Sequence, residues 1–518
     1  MDVKEGEGNA VKGLERVQRF LISAALGLCT LVLGILAVSH LFETSYLHAG
    51  RTPESVTMLR DNLPLNLLLT AAMVAVLLAL YRACERKRSG AVLLCAGLAA
   101  AAAAAAFLVG ARTTQIYDFQ YVLEAAQLFA KGNYKPLGVD YFHIYSYQLG
   151  FCLPLEVLLR LFPSLDINRF MQAVNALLNL GSAAVMAALC AELTGKRRMG
   201  RMTLAMSLLF LPLFLFPVFV YGTVPMVFFS LCALFCFARY LRTRKTMYGL
   251  LWPVLMAAAY LLKPNAAVPM IAMVICAALD VMRSRDWKFL LFAALSAVLS
   301  VTVLRLVIMQ YELRGGMRLT EDLSYLARLV MGLKDGGGAA GWYNSYTDKF
   351  LPLDVTAQME RDMALADLKE VLAAFAAEPG SLFAFLREKL LSQWLEPTNG
   401  CLWYGNLNGQ HGPLAGLAAP VYTQGGGLRA ALEGYMNVFQ QALYALSCAG
   451  VLHLLRRKAD AGNLALPLIL LGGVLYHLIF EAKSQYSYMY VLLLTPLAVQ
   501  GLAALSDAIA AAIQKHRG

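Results

Sequence analysis

The chain has 518 residues, 59% hydrophobic and only 15% charged, and its 44 basic and 33 acidic residues leave a net charge of +11. A soluble chain of this length would have about a quarter of its residues charged, so the composition excludes a string of water-soluble domains, together with disordered, collagenous and disulfide-scaffold chains. The apolar residues fall in blocks about 20 long, enough for a helix to cross ~30 Å of hydrocarbon, which predicts an all-α polytopic membrane protein whose positive charge reports topology rather than nucleic-acid binding.

Met1–Arg19 is mixed in charge and precedes the 23-residue apolar run Phe20–Phe42. That run is too long for a signal-peptide core and lacks a small-residue cleavage site, so it is expected as a retained first span. About twelve spans are predicted, at 20–42, 63–81, 91–110, 168–193, 202–220, 223–240, 247–262, 265–282, 288–308, 436–455, 463–480 and 487–508. Basic clusters alternate with them. Lys4, Lys12, Arg16 and Arg19 precede the first span, and Arg82, Arg86, Lys87 and Arg88 follow the second. Lys196–Arg201, Arg239–Lys245, Arg283–Lys288, Arg456–Lys458 and finally Lys515 with Arg517 complete the series. These short segments hold 24 of the 44 basic residues. The positive-inside rule makes them cytoplasmic and puts both termini inside.

The block Gln148–Pro163 does not fit as a crossing, because it is short and carries Glu156 and Arg160. A full crossing would move every later basic cluster to the wrong side, so it is expected to dip into the membrane or lie along it. Two large extracytoplasmic loops are predicted, 111–167 and 309–435, with a brief one at 43–62 and tight turns at 221–222, 263–264 and 481–486. The 309–435 loop has helical patterns of its own, such as 381–395, which stops before Pro397. Gly336–Gly338 and Gly425–Gly427 are read there as flexible connectors. The resulting division is 1–90 (tail and two added spans), 91–308 (transmembrane core with loop 111–167), 309–435 (large loop) and 436–518 (C-terminal spans). Of ten cysteines, Cys232 and Cys236 share a helix face, which packing explains better than metal binding. Cys401 stands alone in a long polar loop.

The outer side gathers unusual residues. From Asp118 to Ala130 the apolar Phe119, Val122, Leu123, Ala126 and Phe129 recur at helical spacing, predicting an amphipathic interfacial helix with Asp118 at its start and Glu124 on another face. Asp118 is either a functional acid or an N-cap. Asp140, Tyr141, His143, Tyr145 and Tyr147 suit a sugar or lipid headgroup, although interfacial tyrosines are also ordinary anchors. Lys263 sits between two spans, and Glu481, Lys483, Gln485 and Tyr486 cluster at another outer turn. Lys483 and Glu481 could simply snorkel and neutralise one another, yet charges at membrane depth cost ~2.5–3.5 kcal/mol on insertion scales and generally have a partner or a task. Four charged residues from distant parts of the chain converge on one face. Two ammonium groups can offset a phosphate, and a carboxylate can take a proton from an attacking hydroxyl.

The order of these features, together with Tyr117-Asp118-Phe119-Gln120, Leu262-Lys263-Pro264-Asn265, Trp394-Leu395-Glu396-Pro397-Thr398 and Phe480-Glu481-Ala482-Lys483-Ser484-Gln485-Tyr486, resembles the GT-C class of membrane glycosyltransferases. The chain is similar to protein O-mannosyltransferases and the lipid A aminoarabinose transferase, and closest to bacterial, particularly Gram-positive, members. The resemblance runs from about 91 to 508. It implies an inverting hexosyl- or pentosyltransferase in the bacterial cytoplasmic membrane, using a polyprenyl-phosphate sugar and a glycan, lipid or protein acceptor on the outer face. By the same resemblance Asp118 matches the catalytic acid, while Lys263 and Lys483, from their charge on the outer side, are the candidate donor-phosphate ligands. Members often carry a second acid where Thr223 stands here, so a divalent metal is left without support and Asp140 or Glu124 is left as the second polar contact.

The alternative is a transporter or flippase of lipid-linked glycans. Transporters tend to show repeats and charges near the midplane; this chain shows no repeat, and its charges sit at the boundary. The topology has a direct check. Single cysteines introduced as Ser345→Cys and Arg457→Cys in a background without reactive thiols should differ, with only the first labelled from outside intact cells by an impermeant reagent.

Overall fold

Long apolar runs broken by proline, glycine and basic turns fold as helices, because inside hydrocarbon every backbone polar group must be bonded within its own segment. A computed structural model describes residues 2–48, 55–86, 89–111, 113–138, 140–319, 324–335, 338–351, 355–403, 416, 418–457 and 459–517. Lys87, Arg88, Lys458, Gly336 and Gly337 lie outside the described residues, as do the side chains of Lys4, Lys12, Asp140 and Arg517.

The helices, in chain order, are α1 (Asp2–Phe42), α2 (Leu63–Ala83), α3 (Ser89–Ala111), α4 (Tyr117–Ala130), α5 (Asp140–Ile144), α6 (Leu149–Leu161), α7 (Ile167–Thr194), α8 (Arg197–Leu209), α9 (Pro212–Leu215), α10 (Thr223–Thr243), α11 (Thr246–Leu262), α12 (Ala267–Ser284) and α13 (Trp287–Gly315). There follow α14 (Tyr325–Leu333), α15 (Ala357–Ala377), α16 (Pro379–Trp394), α17 (Ala418–Tyr422), α18 (Gly427–Arg456), α19 (Ala461–Ile479), α20 (Ser484–Leu493) and α21 (Thr495–Arg517). The chain is thus a helical polytopic membrane protein. The brief 43–62 loop adds a two-stranded antiparallel hairpin, β1 (Glu43–His48) with β2 (Ser55–Arg60).

Ten helices among the described residues are long and apolar enough to cross a membrane. The expected span 202–220 instead breaks before Pro212, which cannot continue a helix from the preceding turn. Its halves, Arg197–Leu209 and Pro212–Val218, are bent by 62° and would make an eleventh span if they act as one. Thr246–Leu262 falls short at 17 residues, about 26 Å at helical rise. The expected span 487–508 is interrupted at Leu494, just before Pro496.

The basic clusters meet at one end of the bundle. Arg198 pairs with Glu85, Arg239 and Arg242 reach Glu192 at 2.8 Å each, and Arg244 reaches Asp280 at 2.8 Å. Gln18 donates to the Leu279 carbonyl at 2.7 Å and brings α1 to the same end. α1 packs against α18, α19 and α12, so the first helix is part of the bundle. At the opposite end the hairpin is sewn to the large loop: Ser45 N–H donates to the Leu395 carbonyl at 3.2 Å, and Arg387 pairs with Glu43 at 2.7 Å.

Gln148–Pro163 becomes α6, 13 residues and about 20 Å long, less than the hydrocarbon thickness. Its charged residue is not idle. Glu156 is buried and accepts from the Tyr311 hydroxyl at 2.5 Å, Arg160 at 2.8 Å and Arg314 at 3.2 Å. Arg160 also donates to the Phe129 carbonyl of α4 at 3.0 Å. α13 runs two turns past the expected 308, far enough to carry Tyr311 and Arg314 to this carboxylate. Glu156→Ala is expected to cost about 2–3 kcal/mol, since it strands the buried Tyr311 hydroxyl while the half-exposed arginines turn to water. Thermal unfolding in detergent should show a lower midpoint, with a smaller loss for Tyr311→Phe; an unchanged midpoint would refute this role for the network.

Candidate functional site

At the end opposite the basic clusters, three turns and one helix start converge. Polar side chains of α7 lock the approach to α4: Gln172 donates to Thr113 Oγ1 at 2.9 Å and to the Val218 carbonyl at 3.1 Å, and Asn175 donates to the Phe219 carbonyl at 2.8 Å. Gln115 completes the seam, donating to the Val218 carbonyl and accepting from Val220 N–H, each at 2.9 Å. The segments 113–116 and 217–220 are therefore fixed side by side, and Phe119 meets Tyr221 edge-on at 4.9 Å.

α4 starts abruptly. Ile116 is its extended N-cap residue, without a side-chain cap bond, and Tyr117 has φ +47°, a region that non-glycine residues rarely enter. Asp118 is therefore not the N-cap; it lies in the first helical turn and is exposed. The expected apolar stripe of Phe119, Val122, Leu123, Ala126 and Phe129 is buried.

Lys263 ends α11, outside the spans on either side of it, and is buried. Its Nζ donates to Thr223 Oγ1 at 2.7 Å, lies 4.6 Å from the Tyr221 ring centre and 5.4 Å from that of Tyr486. Two glycines make this approach possible, since a Cβ on Gly222 would strike the Leu262 carbonyl and one on Gly150 the Leu261 carbonyl. Burial, then the Lys483 charge, lowers the Lys263 pKa to about 7, and Asp118 and Glu481 act in the opposite sense. Thr223, where a second acid was expected, thus holds an ammonium group. A second cation there would be repelled, and no cluster of three or more potential metal ligands occurs among the described residues.

The 480–486 turn is held from three sides. His477 Nδ1 bonds the Glu481 carbonyl at 2.9 Å, Tyr486 O–H donates to the Glu481 carboxylate at 3.1 Å, and Ala482 N–H donates to the Gly341 carbonyl at 2.9 Å. His477 and Tyr486 also stack, 5.2 Å apart. Lys389, buried on α16, donates to the Gly332 carbonyl. Burial lowers its pKa to about 7, with the charge of Glu481 opposing. Lys483 Nζ lies 5.5 Å from the Trp403 ring centre, and Trp403 lies 6.1 Å from Tyr117. Gln485 packs on Gly400.

The structure thus groups Asp118, Lys263, Glu481, Lys483 and Tyr486 with Tyr141 and Tyr145. Burial raises the pKa of both phenols, and the Asp118 charge adds to the rise. Glu124 instead accepts from Gln120 at 2.7 Å on the exposed face of α4, and no hydrogen bond or ring contact among the described residues joins His143 to the group. Asp140 begins α5, and its side chain lies outside the described residues. Sequence reasoning missed Tyr221, Lys389 and Trp403, and saw Thr223 only as the place of an absent acid rather than as the partner of Lys263. It also placed Cys401 in a polar loop, whereas 394–403 is buried throughout. The reason is Glu396, whose buried carboxylate accepts from Thr398 N–H at 3.0 Å, Thr398 O–H at 2.6 Å and Gly400 N–H at 2.9 Å. A Glu-Pro-Thr-Asn-Gly turn that bonds itself needs little water, and the Trp394 and Trp403 flanking it were the available signal.

Fold and site together define a polytopic helical membrane protein with a polar, aromatic-lined cluster at one end of the bundle. The chain belongs to the family described as conserved hypothetical integral membrane protein, whose model matches residues 63–322. No curated protein matches it. Among solved structures it is similar to the archaeal oligosaccharyltransferase AglB from Archaeoglobus fulgidus, in complex with an inhibitory peptide and a dolichol-phosphate. The identity is 12% and the TM-score 0.40, over 81% of this chain and 52% of that one, so the chain spans about half the length of that relative.

The depressed lysines make stability depend on pH. Between about 7 and the ordinary lysine value near ~10.4 the unfolded chain holds a proton that the folded one sheds, so stability rises with pH in that window. Lys389→Met should remove its share of the rise. The difference in unfolding midpoint between wild type and variant should grow from pH 7 to pH 9, and a constant difference would refute the depressed value.

Proposed function

We propose that this protein is an inverting glycosyltransferase that moves a sugar from a polyprenyl-phosphate carrier to an acceptor on the outer face of the cytoplasmic membrane. The observation that carries the reading is the meeting of an exposed carboxylate, Asp118, with a buried ammonium group, Lys263, and a second lysine, Lys483, in an aromatic-lined site.

In the proposed reaction the acceptor hydroxyl oxygen attacks the anomeric carbon, and its proton passes to the Asp118 carboxylate. The bond from that carbon to the phosphate oxygen breaks, and its electron pair leaves with the lipid phosphate. Attack opposite the leaving group inverts the centre. A phosphate ester leaves readily without a proton, so the site needs a base and cations rather than a general acid. Lys263 and Lys483 supply the cations as point charges. Lys263 is held in place beforehand by Thr223 and two aromatic faces, so little reorganisation accompanies charge development. Tyr141, Tyr145, Tyr221 and Tyr486 offer faces and hydroxyls to the sugar, with Glu481 and Gln485 at the rim.

The test is release of lipid phosphate from a panel of polyprenyl-phosphate sugars by the purified protein. Asp118→Asn should bind the lipid phosphate normally while losing at least ~10²-fold in turnover, the usual scale for a positioned base. Full turnover in that variant would overturn its assignment.

A further inference from the structure

The reaction above makes no use of Trp403. The indole is 6% exposed, and its Nε1 has no hydrogen-bond partner among the described residues. Buried donors are paired in the large majority of cases, and an unpaired one calls for an explanation. Its position supplies one. One neighbour is Tyr117, at 6.1 Å, the residue immediately before Asp118. The other is the Lys483 ammonium, 5.5 Å from the ring centre. The ammonium lies over the face of the indole, beside its N–H edge, and a phosphate offers several acceptor oxygens, so one group can accept from both donors through different oxygens. The wall itself is rigid, because the Glu396 carboxylate ties Thr398 and Gly400 at 2.6–3.0 Å and Ser487 of α20 donates to Asn399 Oδ1 at 2.9 Å.

We propose that the Trp403 indole N–H, together with the Lys483 ammonium, donates to the phosphate oxygens of the ligand, making a mixed ammonium–indole anion site. This rests on reading the cluster as a lipid-phosphate site and adds a binding residue to it. A neutral donor in a low-dielectric wall discriminates by geometry as well as by charge. The site then prefers an oxyanion with lone pairs directed at both donors over a diffuse negative charge.

The experiment uses the full chain in lipid nanodiscs with 15N-indole tryptophan, which gives one Nε1–H resonance for each of the five tryptophans. A short-chain polyprenyl monophosphate should shift one resonance downfield, and the matching neutral polyprenol should shift none. Inorganic phosphate should reproduce the shift only at far higher concentration if the lipid is the source of the anion; an equal response would assign the site to free phosphate instead and overturn the lipid part of the proposal. Trp403→Phe should lack the shifted resonance and bind the lipid phosphate about tenfold or more weakly, the scale for a hydrogen bond to a charged group. Trp403→His, which keeps a ring N–H, should recover part of that loss. Binding by the wild type with no moving resonance, or equal affinity in a folded Trp403→Phe, overturns the inference while leaving the functional reading intact. Failure of the wild type to bind the lipid phosphate overturns both. If Trp403→Phe does not fold, the wild-type resonances decide the question alone.

Discussion

The site depends on burying one ammonium group at the end of a helical bundle. Burying an ammonium group without partners is costly, and Lys263 is accommodated because several weak partners surround it. A threonine hydroxyl accepts at 2.7 Å, two tyrosine rings lie 4.6 and 5.4 Å away, and the charges of Asp118 and Glu481 favour the protonated form. Cation–π contacts of this kind contribute about 0.5–2 kcal/mol each and offset only part of the desolvation, since the pKa stays lowered to about 7. The ammonium consequently stays responsive to any anion placed beside it. None of this assembles unless Gly222 and Gly150 let neighbouring turns approach the end of α11.

A second layer holds the rim. The 480–486 turn is clasped by the Gly341 carbonyl and by His477, while the self-bonded turn at Glu396 presents Trp403 to Lys483. The described stretch 394–403 is therefore a wall of the site. The hairpin Glu43–Arg60, bonded to Leu395 through Ser45, carries that wall back to the first helix. In this arrangement the hairpin ties the first helix mechanically to the wall of the site.

Much of this was legible in the chain. The apolar blocks, the amphipathic stripe from Phe119 to Phe129 and the stop before Pro397 each follow from a local rule, and each has its counterpart in the structure. Departures occurred where a single residue outweighed the average of a window. Pro212 and Pro496 interrupt runs that hydropathy alone reads as continuous, and α13 outlasts its apolar window because Glu156 awaits its polar end. Glu124 shows the reverse limit: an acid near Asp118 in sequence turns to Gln120 on the exposed face of its helix.

By itself the sequence determined that this is a helical membrane protein, where most of its apolar segments fall, and which turns carry misplaced charge. Those properties depend on segment length, periodicity and charge count, which are local. The tertiary structure alone decided that Lys263 bonds Thr223, that Cys401 and Glu396 are buried, and that Trp403 stands between Tyr117 and Lys483. Those pairings join residues tens to hundreds of positions apart, and whether such side chains touch is set by how helix ends stack in space, which no periodicity along the chain encodes.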